Sequence, residues 1–207
     1  MSLFFDIGQG AGLAGASGVR PYLPPLLAGA LARSDTGVDF EGTSYSFLEE
    51  PWFLLAVFAL AVVAYLAERR RAPATPPRPA AAGSDGPARS PMELAQGAIA
   101  LVLGALLFAG SLEDGGHEGL VGLIAGAACA ALAFLAVTAL LRGARRRLEP
   151  SAAGLLGVYA DMVALALAGL SILFPPLAFA ALAAFAWLLL TSRKQGAKKY
   201  AGLRSLR

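Results

Sequence analysis

Two ionisable residues, Arg20 and Asp161, stand within apolar sequence, and they are the candidates for chemistry in this chain. A guanidinium between Gly18 and Pro21 in such a segment needs a partner or a water-filled pocket. It would hold an anionic group, helped by free amides at the start of a helix after Pro25, or it lies at an interface, or it pairs with an internal carboxylate. Asp161 follows Ser151 by about 15 Å of helical rise, which places it near mid-membrane if a helix begins there. A carboxyl group so placed is a proton or cation site, or the partner of Arg20, or shallow if its helix begins later. Tyr159 and Ser171 are near it in sequence but not on its helical face. Arg20 and Asp161 are therefore the expected substrate or ion site.

Other reactive types point to less. His117, among Glu113, Asp114 and Glu118 in a Gly-rich turn, reads as a solvated residue and not as a metal ligand. Cys129 is the single cysteine of the chain, so no intrachain disulfide forms. It reads as a small buried hydrophobe. The sequence has no metal-binding cluster, no nucleophile with a base and no phosphate-binding glycine loop. The expectation is a protein that is not an enzyme and uses no metal or cofactor.

The elements that must carry Arg20 and Asp161 are lipid-facing helices. The 207 residues are 57% hydrophobic, with mean hydropathy +0.63 and net charge +3. That is far more apolar than a water-soluble domain of this size requires. Apolar runs at 52–67, 94–112, 120–141, 152–173 and 174–191 predict five full transmembrane helices. Residues 1–33 form a further apolar segment, interrupted by Gly18, Arg20, Pro21, Pro24 and Pro25. Prolines 24 and 25 remove two amide donors, leaving the carbonyls of Arg20 and Pro21 without helical partners. The segment is either a proline-broken span or a re-entrant hairpin, since irregular backbone at membrane depth needs cover from protein or a wet cavity. It carries no Lys or Arg before Gly18 and reads as retained, not as a signal peptide. The fold class is thus an all-α integral membrane protein.

Charge sorts around these runs. The 34–51 loop and the 113–118 turn are acidic; the Pro-, Ala- and Arg-rich 68–93 linker, the Arg142 to Arg147 turn and the 192–207 tail are basic. The positive-inside rule puts the basic segments and the carboxyl terminus in the cytoplasm of an inner-membrane protein. The 68–93 composition cannot build a core and reads as a flexible linker between the first full span and a four-helix 94–191 region. The expected partners are the bilayer and its anionic headgroups, with no nucleic acid. Gly8 with Gly12, and Gly122 with Gly126, are spaced for close helix packing and are compatible with a homo-oligomer. Pro175 and Pro176 echo Pro24 and Pro25. Paired interruptions of this kind occur in inverted-repeat transporters, although a proline pair opening a helix explains the second without a repeat.

The string from Gly12 through Arg20, Pro21, Pro24 and Pro25 to Leu27, followed by an acidic loop and a span ending at Glu68, resembles the bacterial membrane family of domain of unknown function 4126. The stretch from Tyr159 to Ala181 resembles the end of the same family. The resemblance implies a small integral membrane protein and supplies no catalytic residues. It draws attention to Arg20, Pro24, Pro25, Glu68 and Asp161 as positions in matching segments. The leading expectation is a small transporter or channel-like protein with a polar site at Arg20 and Asp161. The alternative is a non-transporting scaffold or anionic-lipid-associating protein in which the two residues stabilise the fold.

Overall fold

The structure, a computed structural model, describes residues 3–70, 90–145 and 155–201. The described residues form seven α-helices and no strand: α1 (Leu3–Val19), α2 (Leu23–Ala32), α3 (Pro51–Arg70), α4 (Pro91–Asp114), α5 (Gly119–Arg145), α6 (Leu155–Leu173) and α7 (Pro176–Ala201). A short 3₁₀ turn, Ser46–Leu48, precedes α3.

At the centre is α1, of whose 17 residues 13 are buried. Its glycines at 8, 10, 12, 15 and 18 each cost about 1 kcal/mol of helix propensity, so packing and not local preference keeps it helical. The same glycines let α4, α5, α6 and α7 crowd around it. Small residues meet everywhere. Ala160, Ala164 and Ala168 form one buried stripe of α6, and Phe53, Val57, Ala61 and Ala64 one buried stripe of α3. Large apolar residues face outward instead, including Leu55, Phe58 and Val63 on α3, Ile124 on α5 and Met162 on α6. Lipid tails are as apolar as leucine, so close contact between small residues, not burial of large ones, selects the inner faces.

The helix ends sort into two faces. On one, Glu68 at the end of α3 meets Arg20 and Gln96, Arg142 near the end of α5 pairs with Glu93, and Gly157 at the start of α6 meets Arg20. Ser90 caps α4 there by accepting from the Glu93 amide. On the other face Gln9 reaches Gly37, Ser44 reaches Glu113, and Gly8 packs on Pro175. The pair α1 and α2 is thus an antiparallel hairpin: its turn lies on the first face and both its outer ends on the second.

The acidic loop is more than a connector. Val38, Phe40 and Leu48 are buried from it, and Phe40, with no exposed surface, lies against Gly110 of α4. Phe40→Ala is expected to cost about 3–5 kcal/mol, with a matching rise in protease cleavage of the 34–50 segment. Unchanged cleavage would show that the aromatic ring does not hold the loop.

Several expectations require revision. The helix through the amino-terminal segment continues over Gly18 and stops only at Arg20, Pro21 and Tyr22. Pro24 and Pro25 sit in the first turn of α2, where missing donors break no helical bond. They start a helix and do not interrupt one. Pro175 and Pro176 likewise open α7 after a break at Phe174 and Pro175. Among the described residues four helices have full spanning length and apolarity: Pro51–Arg70, Pro91–Asp114, Gly119–Ala144 and Leu155–Leu173. The fifth expected span, 174–191, falls on the apolar stretch Pro176–Ser192 of the longer helix α7. Most of the 68–93 linker, part of the Arg145 to Arg147 run and the end of the basic tail lie outside the described residues.

Candidate functional site

Arg20 is the first residue after α1, and its amide still donates to the Ala16 carbonyl at 3.0 Å. Pro21 then prevents further helix, so the chain turns and the side chain is left at the junction of three other elements. Its Nη1 donates to Glu68 Oε1 at 3.1 Å, and its Nη2 donates to the Gly157 carbonyl at 3.2 Å. Its Nε lies 2.6 Å from Asp161 Oδ1. That last contact is an ion pair lying off the N–H direction, so neither atom gains a hydrogen bond from it. Gln96 Nε2 donates to Glu68 Oε1 at 2.8 Å, which adds α4 to the cluster. The Tyr65 ring stands beside the guanidinium, 5.8 Å from its carbon, within cation–π range.

The two residues singled out by sequence therefore come together. Arg20 is 16% exposed in its side chain, Asp161 23% and Glu68 38%. Asp161 lies four residues after Gly157 on α6, so the carboxylate and the Gly157 carbonyl meet Arg20 one turn apart. The adjoining void, lined by Arg20, Tyr22, Leu23, Ala64, Tyr65 and Glu68, holds about 10 Å³, the space of a single water. With one guanidinium held between two carboxylates, the cluster ties α1, α3, α4 and α6 at one level.

Glu68, Gln96 and Tyr65 were missed as site residues. Glu68 stands out in the sequence as the end of a span and as a position in a family-like segment, but not as a partner of Arg20, although an acidic residue immediately before Arg69, Arg70 and Arg71 is the available signal. Nothing in the spacing singles out Gln96 or Tyr65. The partners of Arg20 are two carboxylates and a carbonyl.

The opposite face is acidic. Glu113 accepts from the Ser44 amide at 2.6 Å and from its hydroxyl at 3.0 Å, joining the loop to α4. Burial, and then Glu113, pushes the Tyr45 hydroxyl above its usual range. Burial pushes the Glu49 carboxyl up, with Asp39, Glu41 and Asp35 adding to it. The native state thus holds the Glu49 proton better than the unfolded chain, a contribution lost as pH rises through the native value. Among the described residues no group of three or more His, Cys, Asp or Glu side chains could hold a metal ion.

Long apolar helices with small residues inside and large ones outside define a helical membrane protein. Residues 7–71 match the family described as Domain of unknown function (DUF4126). The match runs from the first turns of α1 to the end of α3, so it contains Arg20, Tyr65 and Glu68. Gln96, Gly157 and Asp161 lie beyond it, as does the Tyr159 to Ala181 stretch in which a resemblance was expected. Comparison with curated proteins and with solved structures gives no match.

Proposed function

We propose that this protein is a non-transporting membrane scaffold, held at its cytoplasmic face by the Arg20 cluster and associated there with anionic lipid. The observation that carries this reading is the direct engagement of Arg20 by Asp161, Glu68 and the Gly157 carbonyl beside a void of one water's size. A solute or ion site would leave at least one of these groups turned to a wet cavity. The transport reading, in which Arg20 and Asp161 receive a substrate, has less support from this arrangement.

Orientation follows from the two faces. Arg69 and Arg70 are exposed at the end of α3, and Arg193, Lys194, Lys198 and Lys199 lie in the closing turns of α7, so the basic face belongs in the cytoplasm. The acidic face is then extracytoplasmic, and the α1 and α2 hairpin is re-entrant from that side. In this reading α1 rises about 25 Å and α2 returns about 15 Å, with the 34–50 segment, anchored by buried Val38, Phe40 and Leu48, completing the return. Anionic headgroups meet the exposed arginines of the cytoplasmic rim.

Proteoliposomes test both parts. The wild-type protein is expected to add no proton or solute flux over protein-free vesicles, and its thermal stability in detergent to rise more with anionic than with zwitterionic lipid. Flux that disappears in Asp161→Asn would establish transport instead, and equal stabilisation by the two lipids would remove the headgroup preference.

A further inference from the structure

At the far end of α1 from Arg20, Asp6 is enclosed in a place the clamp does not use. Its side chain is 4% exposed, and its Oδ2 lies 3.9 Å from the Nε2 of His117 with no hydrogen-bond partner. His117 is the single histidine of the chain and is 39% exposed, so protons from solvent reach a ring that faces a buried acceptor. The local backbone is well fixed. The His117 amide donates to the Leu112 carbonyl at 3.0 Å, the Gly116 amide to that of Glu113 at 2.8 Å, and Gly116 has φ +78°. Gly115 is the neighbour that leaves room for the carboxylate, because a Cβ there would overlap the Asp6 side chain. On the loop side, Gln9 one turn along α1 donates to the Gly37 carbonyl at 3.2 Å.

The geometry points to a proton-operated latch: protonation of His117 draws its imidazolium onto Asp6 Oδ2 and fastens the first turns of α1 to the turn between α4 and α5. The proton passes from hydronium to the imidazole: one O–H bond breaks, one N–H bond forms, and no other covalent bond changes. Histidine is the side chain whose ordinary charge change lies between pH 5 and 8. The charged groups of the surrounding elements are Glu113 and Asp114 at the end of α4, Glu118 before α5 and Asp39 in the loop, all acidic. Among them the imidazolium has Asp6 as its enclosed partner. Attraction of this kind supports the fold while the imidazole is charged and is lost as pH rises. Because α1 packs on α4, α5, α6 and α7, loosening its first turns reaches the bundle's centre from the acidic face.

A double-mutant cycle on thermal unfolding of the full chain in detergent decides the matter, with Asp6→Asn and His117→Gln measured at about pH 5.5 and about pH 8. Coupling between the two positions worth about 2–4 °C is expected at the lower pH, shrinking by more than half at the higher. Coupling that is absent at the lower pH, or equal at both, overturns the latch. If Asp6→Asn does not fold, the deficit of His117→Gln against wild type must itself shrink from the lower to the higher pH. A deficit independent of pH overturns the latch equally.

Discussion

Arg20→Ala is expected to lower the unfolding free energy by about 2–4 kcal/mol, measured by denaturant or thermal unfolding in detergent micelles. The change deletes one cation and leaves two carboxylates, Asp161 and Glu68, facing each other with no guanidinium between them. Removing one partner of a buried ion pair typically costs 3–5 kcal/mol, and the partial exposure of Glu68 reduces that here. Arg20→Lys should recover only part of the loss. A lysine ammonium restores the charge but not the fork that reaches Glu68, Asp161 and the Gly157 carbonyl together. Asp161→Asn should cost less than Arg20→Ala, because Glu68 then remains as the counter-charge. If Arg20→Ala unfolds like wild type, the cluster is not a clamp and the scaffold reading loses its main support.

Gly126→Leu should be at least as damaging, with a loss of about 3 kcal/mol or more and a monodisperse detergent peak giving way to aggregate. A Cβ at residue 126 would stand 2.6 Å from the Gly104 carbonyl oxygen and 2.8 Å from the Ala105 Cα, so α4 itself would have to move. Overpacking costs of about 1–3 kcal/mol apply where side chains can adjust, and main chain adjusts less. Gly143→Ala on the same helix supplies the comparison. Nothing lies within 4 Å of a Cβ there, so alanine should gain about 0.5–1 kcal/mol of helix propensity. Equal effects at the two positions would mean that close approach of α4 and α5 does not hold the bundle.

Much of the architecture could be read from the chain alone. Apolar runs long enough for lipid, sorted by flanking charge, gave the helices from α3 to α6 within a few residues, because hydropathy and charge act locally and independently of packing. The amino-terminal segment was harder. Gly18, Arg20 and the prolines there suggest interruption from residue 18 onward, yet α1 continues over Gly18, since four neighbouring helices supply what its five glycines lack in propensity. The acidic loop looked like a solvated connector because its carboxylates dominate the pattern. Phe40 and Leu48 bury themselves only because Gly110 and Gly29 leave space for them.

By itself the sequence determined the solvent of this protein, the direction in which its helices alternate and the two ionisable residues that required company. Each follows from a cost assessed residue by residue: apolar surface prefers lipid, basic residues resist translocation, and a lone charge in a greasy segment is unfavourable. Tertiary structure alone decided that Arg20 meets Asp161 across 141 positions, that Glu68 and Gln96 complete the cluster and that Asp6 faces His117. Such pairings depend on how far each helix rotates and slides against its neighbours. In a bundle whose inner faces are mostly alanine and glycine, that register is set by contact between backbones, which leaves almost no trace in hydropathy.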